Sequence, residues 1–553
     1  MTETFDPVTS ALTGHLTFHL LLAAALTWPI AFALLRVYTR TVRRSMSSHA
    51  QPTAASPPEG PASGAAATPA EGHPATLHDL PAAAPASGGA VSLLARLIER
   101  PRQAALIYAA GGTAYGLVMT ASQHMADGLE VLPVRFLFLF WMFLWPVVPT
   151  TCMVAGSTRW ARSIPVAGYF LVLTAIGLVI RRWSPELTWV QVFTPWVLSN
   201  LPGTILLLTY LSRRIRAVGP LVLTFMLLAL IGSDVAVTLV GTRESYLRAM
   251  LNVTRFVGLG GTGTFFSLLA VGFLMFAVIG AVALVWIGRR YQAKKISDES
   301  VAVDALWMLF AVIHSVGLVF SHPAWALAGV AGLAAYKVCV RIGFAWLSRR
   351  DGPPQHTPAL LVLRSFSIGS ASERLFDIIG RHWRRVGSIQ MIAGVDLASR
   401  TVEPHEFLDL VSGRLSRRFI DGEESLNRRM RERDVAPDRD LRFRVNEFFC
   451  YDNTWRMVLS RLVDGSDAVL MDLRGFSRQN AGCVFELREL TRLVPLDRVV
   501  FVVDGRTDEG LLAETLGDCL AGVFRAGGMD GQRVRELLRA LAVAAAPASP
   551  SPV

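Results

Sequence analysis

Charged residues are scarce in this chain of 553 residues: Asp, Glu, Lys and Arg make up 18%, against about 25% in an ordinary soluble protein, while 52% are hydrophobic. With a positive mean hydropathy, that balance disfavours a wholly soluble protein. Cysteine is scarce too. Cys152, Cys339, Cys450, Cys483 and Cys519 show no CxxC spacing and no histidine at metal-ligand spacing, which argues against a disulfide framework and against a zinc site, so no metal is expected. The residues ahead of the first apolar run, "MTETFDPVTSALTGHL", carry no lysine or arginine, so that run does not have the form of a cleavable signal peptide. A glycine-rich phosphate loop of the P-loop or GxGxxG kind is missing, as is any repeat of fixed period.

What the chain has in abundance is apolar length. Nine candidate spans, roughly 16–36, 104–122, 133–154, 164–181, 190–212, 218–240, 264–288, 303–320 and 323–347, are long enough to cross a hydrocarbon layer of about 30 Å as helices. The formal charge of +11 is no sign of nucleic acid, because the arginines cluster at the ends of apolar runs, where positive charge sets topology. Arg36, Arg40, Arg43 and Arg44 follow the first run, placing its start outside and its end in the cytoplasm. Alternate loops then agree: "STRWARS", "SRRIRAVG", "GRRYQAKK" and "SRRDG" fall inside, "SQHMADGLEVLP" and "SHP" outside. Two outside loops, "RRWSPELTW" and "GTRESYLRAMLNVTRF", dissent by carrying arginines. The expected setting is a bacterial inner membrane, crossed many times, with a cytoplasmic carboxyl-terminal domain.

This division gives an amino-terminal membrane helix (1–45), a Pro/Ala-rich linker expected to be disordered (46–92), a multi-pass region (93–350), a cytoplasmic α/β domain (351–545) and a loose tail (546–553). Within the spans the ionisable residues are Asp234, Asp304, His314 and Lys337, and "SNLPG", Ser199 to Gly203, interrupts the fifth span. A transporter or channel with a regulatory domain would use such groups. Without a paired relay or an inverted repeat, an anchor or signalling platform fits the sequence better.

From about residue 358 short apolar runs alternate with amphipathic helices, the mark of a parallel sheet. "PALLVLRSF", "SIQMIAGV", "RFRVNEFFC", "DAVLMDLRG" and "LDRVVFVVDG" are the five expected strands, and "GLLAETLGDCLAGVF" and "DGQRVRELLRALA" a closing helix pair. "DGEESLNRRMRERDVAPDRD" intersperses both signs of charge and is expected to be a solvated helix and loop. The fold class is thus an α-helical multi-pass region of about nine helices followed by an α/β domain with a five-stranded, mainly parallel sheet flanked by helices. Arg364, Ser365 and Phe366 end the first strand, and Gly475 to Ser477 follow the fourth; ligands of such sheets sit at carboxyl ends of strands, so one crevice could hold both.

The helix after the fourth strand contains "GCVFELREL". At about 100° per residue, Cys483, Leu487, Leu490 and Val494 mark its apolar centre, and Glu486 falls between Leu493 and Leu490, whereas Glu489 points to the polar side. A carboxylate on a packing face needs a partner or a function. The bland partner is Arg364, in a structural ion pair.

"CVFELREL" resembles the C-x-x-E-L element of Toll/interleukin-1 receptor (TIR) domains, which follows a serine-bearing loop after the fourth strand; nucleoside deoxyribosyltransferase-like folds share the plan. The resemblance covers about residues 358–545. It implies that Glu486 is a catalytic carboxylate acting on the ribose of NAD as substrate, with Arg364, Ser365, Phe366 and Ser477 lining the nucleotide pocket and no cofactor required. The partners it implies are a nucleotide ligand and a homo-oligomer formed through the cytoplasmic domain, besides the lipid bilayer, with no nucleic acid. The non-enzymatic alternative is a signalling scaffold assembling through the same domain. Three departures are the absence of the acidic opening of the first strand, Gly482, where an aromatic often precedes the cysteine, and the charged insertion between the second and third strands.

Overall fold

Long apolar runs satisfy their backbone groups internally only as helices in a membrane, and most of the chain before residue 352 is helical. The computed structural model describes residues 22, 25–42, 44, 76–79, 87–128, 132–156, 158–210, 218–241, 243–319, 321–352, 356–364, 370–393, 418–451, 453–517, 520–527 and 529–546. After helical residues 25–42 come α1 (Gly88–Asp127), α2 (Pro133–Phe143), α3 (Val147–Val154), α4 (Arg159–Trp183), α5 (Trp189–Tyr210), α6 (Gly219–Gly241), α7 (Glu244–Phe256), α8 (Gly261–Gln292), α9 (Asp298–Val319) and α10 (Leu327–Asp351).

Among the described residues seven helices are long and apolar enough to cross a membrane, α2 and α3 counting as one stretch, Pro133–Val154. The expectation of about nine is thus met in part. Residues 16–21 and 23–24 of the first expected span lie outside the described residues, and 25–36 are helical. The fifth, α5, is helical over Trp189–Tyr210 but is not among the seven. α1 is longer than its span: Leu93 and Leu97, in its first turns, belong to the core of the α/β domain, while Tyr108 and Tyr115 belong to the membrane bundle.

The α/β domain is built on eight parallel strands: β1 (Thr76–Asp79), β2 (Ala359–Arg364), β3 (Ser388–Ala393), β4 (Phe419–Ile420), β5 (Val445–Cys450), β6 (Ala468–Asp472), β7 (Val499–Val503) and β8 (Leu520–Arg525). Their spatial order is β1-β8-β7-β6-β2-β3-β5-β4. β6 and β7 are buried at every position, as strands covered on both faces should be. The helices are α11 (Ser370–Trp383), α12 (Glu423–Arg431), α13 (Trp455–Asp464), α14 (Ala481–Leu493), α15 (Glu509–Leu516) and α16 (Gly531–Ala544). α11 and α16 cover one face with Leu375, Ile379, Trp383, Leu537 and Leu541, in the same cluster as Leu93, Leu97 and Val218 from the membrane region. α12, α13, α14 and α15 cover the other with Leu426, Leu459, Leu487 and Leu512.

Three strands exceed the expected five. β8 lies where a helix was expected to continue; α15 instead stops at Leu516, Gly517 turns with φ 65°, and the apolar run that follows pairs with β7. β1 comes from the linker expected to be disordered. Thr76–Asp79 adds to the edge of β8 in parallel register, Leu77 packs on the outer core, and Asp79 accepts from Arg525 Nε at 2.7 Å. Covering an open sheet edge removes a template for unwanted pairing. α1 also starts inside that linker, at Gly88, capped by Ser87.

The α/β domain meets the membrane helices at one end of the bundle. Arg381 donates to Cys152 O at 3.2 Å and to Gly156 O, beyond α3. Arg444 lies 3.9 Å over the Tyr291 ring, at the end of α8. Arg100 pairs with Asp351 at 2.5 Å, joining α1 to the end of α10. These ends carry "STRWARS", "GRRYQAKK" and "SRRDG", so the loops assigned by charge to one side do share a side.

The segment after α12 corrects the solvated-loop expectation. Asp438, Asp440, Arg442 and Arg444 are buried. They dock on the turn before α9, where Ser297 and Ser300 cap each other's backbone amides (3.0 and 2.8 Å) and Asp298 and Glu299 occupy the positive end of the helix. Arg384 grips Asp298 with two bonds of 3.0 and 2.8 Å, Glu299 takes Arg385 and Arg442, and Ser297 donates to Asp440.

Candidate functional site

The chain winds from β2 through β3 to β5 in one direction and from β6 through β7 to β8 in the other. Winding reverses between β2 and β6, and the crevice beyond the carboxyl ends of such a pair is the usual ligand site of open α/β sheets. Arg364 is opposite Asp472 across this pair. The two strand ends expected to share a crevice are therefore neighbours. Ser365 and Phe366, called for the same pocket, lie outside the described residues.

Asp472 is 2% exposed, and its carboxylate is fully engaged. Ser372, in the first turn of α11, donates to it at 2.8 Å, while Arg474 donates from Nε at 2.7 Å and from Nη2 at 2.6 Å. That cluster pins α11 to β6 across the switch point. Next, Gly475 adopts φ 70° and donates its amide to Asp504 at 2.9 Å. Burial alone would raise the Asp504 pKa, but the Gly475 and Arg506 amides and the Thr507 hydroxyl outweigh it and hold the carboxyl below its usual range. Thr507 also donates to Leu473 O at 3.0 Å and the Asp508 amide to Phe476 O at 2.9 Å, so the turns after β6 and β7 form one unit.

Ser477 spends its groups locally. Its amide and hydroxyl donate to Asn480 Oδ1 at 3.0 and 3.2 Å, and the Asn480 amide returns a bond to Ser477 O at 2.9 Å. This closes the turn that starts α14. The geometry shows Ser477 tied into the turn that leads to Asn480, the N-cap of α14.

α14 follows the angular expectation. Cys483, Leu487 and Leu490 are at most 1% exposed against the sheet. On the flank toward α13, Phe485 meets Trp455 edge-on at 5.3 Å and Glu489 accepts from Ser460 at 3.0 Å. Glu486 falls between the sheet-facing centre and this seam. It is 4% exposed, its Oε2 has no hydrogen-bond partner, and among the described residues no cation pairs with it. The structural pair with Arg364 does not form. Burial pushes the Glu486 carboxyl up to about 8, so it holds a proton at neutral pH. Three other buried acids, Glu299, Asp438 and Asp472, each hold an arginine.

A surface depression of about 930 Å³ lies elsewhere, between α12 and α13, lined by residues that include Glu424, Arg431, Arg461 and Asp464. It is open and holds none of the groups at the switch point, which carries the better chemical case. Among the described residues no group of His, Cys, Asp and Glu side chains is placed to hold a metal ion.

The interrupted fifth span contributes to a second polar cluster, inside the bundle. Asn200 donates from Nδ2 to Met142 O at 3.1 Å and faces His314 Nε2 with Oδ1 at 3.2 Å; His314 Nδ1 lies 2.9 Å from the Tyr115 hydroxyl. Because the amide nitrogen of Asn200 is engaged, its oxygen must accept, so Nε2 carries the proton and Nδ1 accepts from Tyr115. One chain of bonds thereby joins α1, α2, α5 and α9. Asp304 and Lys337 pair with each other at 2.5 Å. These groups act as interhelical ties, and Asn200→Leu is expected to cost about 1–2 kcal/mol of bundle stability, read from thermal unfolding in detergent. An unchanged midpoint would refute the tie.

Sequence reasoning overlooked Ser372, Asp472 and Arg474. The signal was available: an aspartate ending an apolar strand, two residues before an arginine. No family model, no curated protein and no solved structure matches this chain.

Proposed function

We propose that this protein is a membrane-embedded effector in signalling or defence, whose TIR-like α/β domain takes a nucleotide at the switch point and cleaves NAD with Glu486 as the acting carboxylate. One observation carries the reading: a carboxyl held inside the domain with no cation paired to it among the described residues, at a cost of several kcal/mol when ionised, in the second turn of the helix that follows β6. The local likeness of "CVFELREL" to the TIR element supports the same residue. Breaking the bond between ribose and nicotinamide leaves positive charge on the sugar; a nearby carboxylate stabilises it, water attacks the ribose carbon, and nicotinamide departs with the bonding pair. Glu486 must be ionised for that role. The cationic nicotinamide ring favours the ionised form, and release should therefore rise between pH 6 and 8. Arg364 offers donors to the phosphates and Phe366 an apolar face to the ring.

The arginine-rich helix ends gathered around the α/β domain support a cytoplasmic domain on an inner-membrane protein. The test uses the full chain in lipid nanodiscs, incubated with NAD and assayed for free nicotinamide. Glu486→Gln should lower release by at least about 100-fold while the protein stays folded. No release from the unsubstituted chain, or equal release from both, would overturn the enzymatic reading; binding of NAD without release would leave a nucleotide-sensing scaffold.

A further inference from the structure

α7 belongs neither to the switch point nor to the polar chain around His314. At 100° per residue its side chains fall into three sectors. Leu247, Met250, Leu251 and Thr254 form the packed sector; Thr254 is 3% exposed, and its hydroxyl lies 2.6 Å from that of Thr264 in the first turn of α8. Arg248, Asn252 and Arg255 share a polar sector with Glu244, which pairs with Arg248. Between these two sectors, on the remaining side, lie Tyr246, Val253 and Phe256, which are 45%, 61% and 94% exposed.

α8 fixes the depth of that uncovered sector. Its Tyr291 end is held by Arg444 of the α/β domain, and its Thr264 end carries α7. At 1.5 Å per residue the two ends are about 40 Å apart. A hydrocarbon layer of about 30 Å fits between them, which sets α7 at the level of the far headgroups. Because α7 packs on α8 by one side only, its apolar sector and its arginines both face outward at that level. Arg243, Arg248 and Arg255 outnumber Glu244 along this segment, which suits a layer of phosphates.

We infer that α7 is an interfacial helix of the leaflet remote from the α/β domain, with Tyr246, Val253 and Phe256 among the upper acyl chains and Arg248 and Arg255 on lipid phosphates. This gives the arginines of the dissenting loop "GTRESYLRAMLNVTRF" a partner on the side remote from the α/β domain.

The test places a nitroxide label on Phe256→Cys, and separately on Arg248→Cys, in the full chain in phosphatidylcholine and phosphatidylglycerol nanodiscs. The unsubstituted chain, treated alike, is the blank for native cysteines. The label at 256 should be several-fold more accessible to oxygen, which partitions into lipid, than to a water-soluble nickel chelate, and the label at 248 should show the reverse. Chelate access at both positions would mean that the helix stands in water. Shielding of both from both reagents would mean that a protein surface covers it. Either result overturns the inference; should Phe256→Cys fail to fold, Val253→Cys on the same sector gives the same readout.

Discussion

Glu299→Ala is expected to lower the stability of the folded chain by about 3–5 kcal/mol, far more than the loss of an ordinary surface charge. Glu299 is 7% exposed and takes Arg385 on one carboxylate oxygen and Arg442 on the other. The side chains of those arginines are 3% and 7% exposed, so the substitution leaves cationic groups buried with too few acceptors. Denaturant unfolding of the full chain in detergent, followed by tryptophan fluorescence, measures the loss. Glu244→Ala is the control, since that glutamate and Arg248 are 76% and 73% exposed as side chains and should contribute less than about 1 kcal/mol. A loss at Glu299 no larger than the control would show that the junction is solvated. The double variant Glu299→Ala with Arg385→Ala should regain part of the loss, because one stranded charge goes with it. Glu299 opens α9, the helix that carries His314 further along. One membrane helix therefore both anchors the α/β domain and holds the polar chain in the bundle.

The junction was the least legible part of the sequence. Arg442 meets an acid 143 positions earlier, so a segment of mixed charges looks the same whether its partners are water or a helix start on the other side of the molecule. β2, β3, β5, β6 and β7 were legible because each is a short apolar run closed by polar residues. β1 was not, since "TLHD" has little apolar content and is held by an edge and by Arg525; nor was β8, whose apolar run is as compatible with a helix until Gly517 breaks it. Angular reading distinguished Glu486 from Glu489 because helix geometry is local. It could not say that Arg364 would fail to pair with Glu486, which depends on how α14 seats on the sheet.

Between pH 5 and 8 the stability difference between Glu486→Gln and the unsubstituted chain should grow by several kcal/mol in favour of the variant. The carboxyl titrates near 4.5 when unfolded and is pushed up to about 8 by burial when folded. Below pH 4.5 both states hold the proton and the group costs nothing. As pH rises from 4.5 toward 8 the unfolded chain releases it while the folded chain keeps it, so stability falls through that window and levels off above it. Asp438, raised to about 6 by burial, adds a fall of the same sign that is complete lower in pH; His382, lowered by burial, adds a rise that ends near its ordinary value of 6.5. Comparison with the variant cancels both, and the limb from pH 7 to 8 belongs to Glu486. Thermal unfolding at several pH values is the measurement, and parallel curves for the two proteins would show that Glu486 is ionised in the resting fold. The same titration bears on function. A ligand that brings positive charge to Glu486 must lower its pKa, so NAD binding near neutral pH should release a proton, visible as a binding enthalpy that changes with the ionisation enthalpy of the buffer and vanishing in Glu486→Gln.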